Sequence, residues 1–337
     1  MADDPLVSVI IPTYNRERYL GEATQSVFDQ TFTSFELLIV DDGSDDGTPA
    51  LVQRSADPRV HYIRQPHQGV SAAMNAGMRA ARGALVARLD SDDRWATDLL
   101  STLVAILDRR AELGFVYAKA ATMDGDGRPL AVARGGAPRF AGDGLRSLLY
   151  DDCTCNIALV ARRSCLEEAG PYDEALAANE DWDMWLRVAR RHPFAFVDRL
   201  LASVRLHDDS LTDPTSPRFT AVLDTRTVPL DKLFADDTLP AAARAMRPEA
   251  YANVYLWKGL RRLQVGHYRQ AAREFRLALR TTARPAVMAL RVAWRGGAVP
   301  ALRRSRFGQG ALTAPLRLRQ ALNRRTASDR EDRGGTG

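Results

Sequence analysis

The sequence predicts an α/β protein, a mixed and mainly parallel sheet flanked by helices, followed by an α-helical C-terminal region. Two patterns predict the sheet. Four apolar runs within the first 95 residues each end in polar residues, and the spacing between them suits strand-helix units. One of these runs, Ala84 to Leu89, leads directly into Asp90, Asp92 and Asp93, a placement of negative charge typical of ligand sites at the carboxyl ends of strands. The third observation lies beyond residue 220, where the apolar spacing becomes helical.

Leu6 to Ile11 is a β-branched run that Pro12 is expected to stop. Thr13, Tyr14, Asn15 and Arg16 follow as a polar and aromatic turn, and a helical pattern runs from about Arg18 to Gln30. Thr13 and Tyr14 therefore sit at a strand's carboxyl end, where they could flank a base. The second strand, Phe35 to Val40, enters Asp41-Asp42-Gly43-Ser44-Asp45-Asp46-Gly47-Thr48. Most of these acids read as a solvated βα loop, with Gly43 and Gly47 permitting tight turns. Asp42 lies near the expected topological switch and could accept a hydrogen bond from a pyrimidine ring N–H. A third strand, Val60 to Ile63, precedes a helix from about Ala72 to Arg82, which Gly83 ends.

Asp90, Asp92 and Asp93 would repel one another unless a cation sat among them. Hard cations such as Mg²⁺ or Mn²⁺ use one or two carboxylates together with substrate phosphates. The competing reading is a solvated turn in which Asp93 caps a helix beginning near Ala96. No G-x-G-x-x-G follows the first strand and no G-x-x-x-x-G-K-[ST] occurs, which argues against an ordinary dinucleotide fold and a phosphate-loop hydrolase.

Four segments in order carry a family resemblance: Val7 to Arg16, Asp41 to Thr48, Gly69 to Asn75, and Leu89 to Asp93. Over roughly residues 5–210 the chain resembles a family 2 inverting glycosyltransferase. The resemblance implies a GT-A fold that uses a nucleoside-diphosphate sugar donor, UDP or dTDP preferred, and a divalent cation, Mn²⁺ or Mg²⁺. It divides residues 1–215 into a nucleotide-binding half, 1–95, and an acceptor half, 96–215. By position it puts Pro12, Thr13, Tyr14 and Asp42 around the nucleobase and ribose, and Asp90 and Asp92 on the family's Asp-x-Asp motif. Asp92 would bind the metal, with Asp90 near the ribose or the metal's waters. Where the family often has Ala-Arg-Asn, this chain has Ala73-Met74-Asn75, so a basic donor contact must come from elsewhere, with Arg88 a candidate.

Inversion needs a base. Asn179 to Arg187 resembles the family's Glu-Asp motif at a helix start, making Asp181 the base and Glu180 its neighbour that orients the acceptor. The alternative is that Asp181 and Asp183 simply favour a helix N-terminus. Trp182, Trp185 and Leu186 read as core. Gly170 to Asp173 reads as an acceptor-side turn, and the family's histidine position falls on His207, a further metal ligand. The loop from Asp208 to Pro217 has the composition of a mobile lid.

At 337 residues, with 45% hydrophobic and 26% charged residues, the composition is that of a globular protein with an appendage. Residues 1–210 carry 23 Lys and Arg against 32 Asp and Glu, a net −9, and residues 211–337 carry +14. Cys153, Cys155 and Cys165 are too few for a disulfide framework and are expected as reduced thiols. No signal pattern or membrane-length apolar run is visible, so a cytoplasmic protein is expected.

Residues 251–280 are spaced as a tetratricopeptide-like helical hairpin that packs on the catalytic domain, within a basic helical region, 216–325. Residues 281–325 hold ten arginines and no acid, which suits an anionic membrane surface at the inner face of the cell membrane or a solvated arginine-rich face. No nucleic acid is expected, because no recognised binding motif accompanies the charge. Residues 326–337 read as a disordered tail. The acceptor implied is a glycan or lipid-linked molecule of the cell envelope. Two rivals are a sugar-phosphate nucleotidyltransferase, whose N-terminal glycine- and lysine-bearing signature is missing, and a non-catalytic sugar-nucleotide-binding scaffold.

Overall fold

The computed structural model describes residues 4–210, 216 and 219–293. Nine strands make one sheet: β1 Val7–Thr13, β2 Phe35–Asp41, β3 Val60–Arg64, β4 Leu85–Arg88, β5 Arg94–Trp95, β6 Phe115–Met123, β7 Pro129–Arg134, β8 Leu159–Arg162 and β9 Phe194–Arg205. Their order is β3-β2-β1-β4-β8-β6-β9-β5, with β7 on β6. The first four are parallel, as expected. Beyond them β8 pairs antiparallel with both β4 and β6, while β9 runs parallel to β6.

Alternation along each strand builds two cores, one on either face. Val7, Val9, Ile11, Leu37 and Ile39 pack with helices Glu17–Phe28 and Leu99–Arg109. Ile10, Leu38 and Val40 pack on the other face with helices Val70–Ala80 and Glu180–Ala189. Trp182, Trp185 and Leu186 belong to this second core, as the sequence suggests. So do Leu230, Leu233, Phe234, Ala250 and Val254. Through them the helices Val228–Ala235 and Arg247–Gln264 cover this face of the sheet. Arg247–Gln264 and Tyr268–Thr281 form the expected hairpin.

Two local readings change. β1 does not stop at Pro12 but runs to Thr13. Ile10 faces β4, since its carbonyl accepts from the Leu89 amide. Pro12, two residues on, turns its missing N–H to that same side, where β4 has already ended. Asp93 is not a helix cap, because β5 intervenes and the following helix begins at Leu99. The three cysteines are free thiols, Cys155 and Cys165 buried. Among the described residues no helix is long and apolar enough to cross a membrane. The arginine-rich segment from residue 294 onwards, the tail, and most of the loop 208–217 lie outside the described residues.

Gly83 joins helix Val70–Ala80 to β4, and a Cβ there would lie 2.6 Å from the Ser8 amide and 2.8 Å from the Val7 carbonyl carbon. Neither is a movable side chain. Gly83→Ala should destabilise the fold by about 1–3 kcal/mol, the usual cost of overpacking. A urea midpoint equal to that of the parent would contradict this close approach.

Candidate active site

The site forms where β1, β2 and β4 end. At β1, the Thr13 carbonyl accepts from the Asp42 amide at 2.9 Å, joining the ends of β1 and β2. Thr13 is buried and its Oγ1 has no hydrogen-bond partner in the described structure. Tyr14 stacks on His67, ring centroids 4.0 Å apart. The Asp42 carboxylate accepts from Gln65 Nε2 at 2.7 Å, from the Gln68 amide at 3.0 Å and from the Gly69 amide at 2.7 Å. His67 Nδ1 lies 2.8 Å from the same carboxylate. Asp42 thus organises the 65–69 loop, and four acceptor positions on a carboxylate leave little room beyond these partners.

The acidic turn after β4 is held from two sides. Arg88 donates from Nε to Asp90 at 2.7 Å and from Nη1 to Glu180 at 2.9 Å. Its guanidinium is therefore engaged by two carboxylates rather than standing free. Asp92 meets His207 Nε2 at 2.8 Å, with Arg16 Nε at 3.4 Å. Asp93 accepts from the Arg205 amide at 2.7 Å. The Arg205 side chain, almost wholly buried, donates to the Asp92 carbonyl and to Glu22. The end of β9 is therefore tied to the acidic turn, and His207 follows two residues later.

On the other side, helix Glu180–Ala189 begins at Asn179, whose φ of 65° is unusual for a residue with a side chain. Its amide side chain is held by the Val222 carbonyl, Thr225 and Arg226. Arg226 also pairs with Asp152 at 3.0 Å and lies over the Trp182 ring. Asn75 closes the arrangement from the first half, bonding both backbone groups of Tyr172 and the Glu174 carboxylate.

Electrostatics separate these carboxyls. Burial pushes Asp181 up to about 7, helped by the charges of Glu180 and Asp152 and opposed by Arg88 and Arg226. Asp93 is raised by burial and then by Asp92 and Asp90. Asp90 is raised by burial, against the attraction of Arg88. Asp92 is the exception: burial would raise it, but the His207 hydrogen bond and the Arg16 charge hold it below its ordinary value.

All the residues singled out from sequence lie in these two adjoining groups. Pro12, Thr13, Tyr14 and Asp42 stand at the ends of β1 and β2. Asp90 and Glu180 meet through Arg88, Asp181 follows Glu180, and Asp92 meets His207. Among the described residues no three His, Cys, Asp or Glu side chains converge as a metal cage. The pair Asp92 and His207 nonetheless offers the oxygen and imidazole donors that a divalent ion sharing its shell with phosphate accepts. Sequence reading missed Arg16, His67, Asp152 and Arg226 as parts of the site. Arg16 ended a recognised segment without being given a role, whereas Arg226 carried no local signal.

Comparisons with known proteins bear on the family and the fold. The family model described as glycosyl transferase family 2 matches residues 8–166. TuaG of Bacillus subtilis, provisionally named as a teichuronic acid biosynthesis glycosyltransferase, is 32% identical over 219 residues, 62% of this chain and 82% of its own. Chondroitin synthase of Escherichia coli is 29% identical over 208 residues, 61% of this chain. The match spans only 30% of that relative's length. Among solved structures, S. aureus TarS 1-349 superposes with a TM-score of 0.57 at 18% identity, covering 82% of this chain and 81% of that one. This likeness is one of fold, and it agrees with the GT-A arrangement expected.

Arg88→Gln would leave Asp90 and Glu180 without their shared cation. Asp90 keeps 35% of its side chain exposed while Glu180 keeps 8%. The loss should therefore be about 3 kcal/mol, the low end for breaking a buried pair. Adding Glu180→Gln should recover part of it, and urea unfolding of the two variants would measure both effects.

Proposed function

The chain belongs to glycosyl transferase family 2, and from that premise we propose that it transfers a sugar, with inversion, from a nucleoside-diphosphate sugar to an acceptor hydroxyl. The observation that carries the reading is Asp181, a half-buried carboxyl raised to about 7 beside Glu180, which Arg88 ties to Asp90. A base is most effective when its pKa lies near the working pH. The acceptor oxygen attacks the anomeric carbon while Asp181 takes its proton. The bond to the diphosphate breaks with its electron pair leaving on oxygen, and configuration inverts in one displacement. Glu180, fixed by Arg88, orients the acceptor. Pro12, Thr13, Tyr14 and Asp42 hold the nucleoside, and Asp90 lies toward the ribose.

A divalent ion, Mn²⁺ or Mg²⁺, held by Asp92 and His207 would supply positive charge to the leaving diphosphate. UDP and dTDP are the preferred donors by the family resemblance, with Asp42 acting through the 65–69 loop that its carboxylate holds. The names of the relatives, one provisionally linked to teichuronic acid and one a chondroitin synthase, support a product that is a cell-envelope polysaccharide or glycolipid. The work would take place at the cytoplasmic face of the membrane.

Thermal stabilisation by UDP, dTDP, GDP and NAD, each with and without Mn²⁺, tests the donor site. At 100 times Kd binding adds about 2.7 kcal/mol, and the expected result is a manganese-dependent shift with UDP or dTDP. Asp92→Asn should abolish the manganese dependence. No shift with any nucleoside diphosphate, in folded protein, would overturn the reading.

Asp181→Asn should leave donor affinity within a few-fold and cut transfer by about 10² or more. In the parent, transfer should climb with pH through about 7 as Asp181 loses its proton. A carboxyl whose pKa is raised by folding favours the native state while protonated. That contribution is present below pH 3.8 and lost as the pH rises through about 7. Asp181→Asn stays neutral at every pH, so it should melt higher than the parent at pH 8. A fully active variant would remove Asp181 as the base.

A further inference from the structure

Helix Tyr268–Thr281 presents one face that the fold does not use. Arg269, Arg273, Arg276 and Arg280 recur at intervals of four, three and four residues, which keeps them within about 60° of the helix circumference over a length of about 17 Å. All four are exposed. Among the described residues none of them forms an ion pair, and Arg276 reaches only the Ala272 carbonyl of its own helix, at 3.4 Å. Like charges at these spacings repel, so the row lowers the helix's stability unless something anionic covers it.

The acids nearby are engaged elsewhere. Glu274, the helix's one acid, is buried on the opposite side, 3.6 Å from Lys258 and 3.6 Å from Arg262. Glu249 meets the chain just past the helix, accepting from the Thr282 hydroxyl at 2.7 Å and the Ala283 amide at 3.1 Å. Asp224 pairs with Arg262 at 2.7 Å.

The row beside the arginines is apolar. Tyr268, Ala272, Phe275 and Leu279 repeat the same spacing one residue earlier. Tyr268 is 69% exposed and Ala272 is exposed, whereas Phe275 and Leu279 pack against Ala252, Leu256 and Ala278. A Cβ on Gly259 would lie 2.4 Å from the Phe275 ring, a close approach that fixes which face turns outward. Residues 285–293, also helical, join this cluster through Met288 and Val292 and leave Val287 exposed and Leu290 71% exposed. Guanidiniums bordered by exposed aromatic and aliphatic groups suit a lipid interface, where charge meets anionic headgroups and apolar groups enter the acyl boundary. Nucleic acid would engage the charge through its phosphates and leave the aliphatic groups in water.

We propose that the arginine face of helix Tyr268–Thr281 docks on a bilayer bearing anionic headgroups, with Tyr268 at its apolar border. Sequence alone puts such a contact in residues 281–325, and the fold offers one earlier in the chain. The inference gives the membrane setting proposed above a contact surface and does not depend on the reaction that the site performs.

The full chain is sedimented with vesicles of phosphatidylcholine alone and of an equal mixture of phosphatidylcholine and phosphatidylglycerol. Binding is expected to the anionic vesicles and should weaken as salt is raised. One basic residue near an anionic surface changes partitioning about five-fold, so Arg269→Gln with Arg273→Gln should weaken binding about 25-fold. Lys at the same two positions should keep most of it and serves as the folded control. Tyr268→Ser should weaken binding a few-fold. Gln at Arg54 and Arg79, exposed arginines of the nucleotide-binding half, should change nothing.

Equal binding to neutral vesicles, no binding to either kind, or binding that survives the Gln pair overturns the proposal. Duplex DNA that displaces the protein from the vesicles at equal concentrations of anionic charge would give the face to nucleic acid and overturn it as well. Failure here leaves the transfer reading standing, because stabilisation by nucleoside diphosphates is measured without lipid.

Discussion

One buried guanidinium holds the two sides of the site at a fixed separation. Arg88 ends a central parallel strand, yet it is only 9% exposed, and such a charge persists inside a protein only when it is paired. Its partners come from opposite sides of the cleft, Asp90 from the turn after β4 and Glu180 from the helix start 92 residues later. Because Glu180 takes the Arg88 charge, its neighbour Asp181 has no ion-pair partner among the described residues. The Asp181 carboxylate accepts only from the neighbouring Trp182 amide among the hydrogen bonds of the described residues, and burial raises it against the charges of Arg88 and Arg226. Pairing one carboxyl and leaving the next unpaired is a physical route to an acid and a base in adjacent positions.

Two further attachments keep this geometry from relaxing. Arg205 spends its backbone amide on Asp93 and its guanidinium on the Asp92 carbonyl, Gly125 and Glu22. Asn75 spends its whole amide on Tyr172 and Glu174. Each joins an element of the first half to one of the second through donors that have no other use. The site is therefore rigid where charge must be placed, as catalytic preorganisation requires.

Much of this was legible in sequence because its signals are local. The four parallel strands follow from apolar runs, and the residues Thr13 to Arg16, Asp41 to Thr48 and Asp90 to Asp93 stand beside the strands that carry them. The start of the helix at Glu180 and the burial of Trp182 and Trp185 were readable for the same reason. What failed was non-local. Asp93 has the identity and position of a helix cap, but an amide 112 residues away takes its oxygen. Pro12 is a strand breaker by local rule, and only the end of a neighbouring strand makes it harmless. Arg226 and His67 belong to the site through contacts across 74 and 25 residues, and nothing beside them in the chain announces it.

The position of β9 has a consequence for how the molecule comes into being. The last of the described strands is not at the margin of the sheet but lies between β6 and β5. β5, directly after the acidic turn, has β9 as its one ladder partner. The turn therefore waits, during synthesis, until residue 205 has emerged and inserted. Contacts of such long sequence separation are closed late, because chain entropy must be lost before they form. A nascent or truncated chain would already possess its first four strands while the acidic turn still lacked the Arg205 amide and His207. The chemistry is thus withheld until the whole catalytic portion is present, and a fragment carrying the recognisable motifs would not yet be a working transferase.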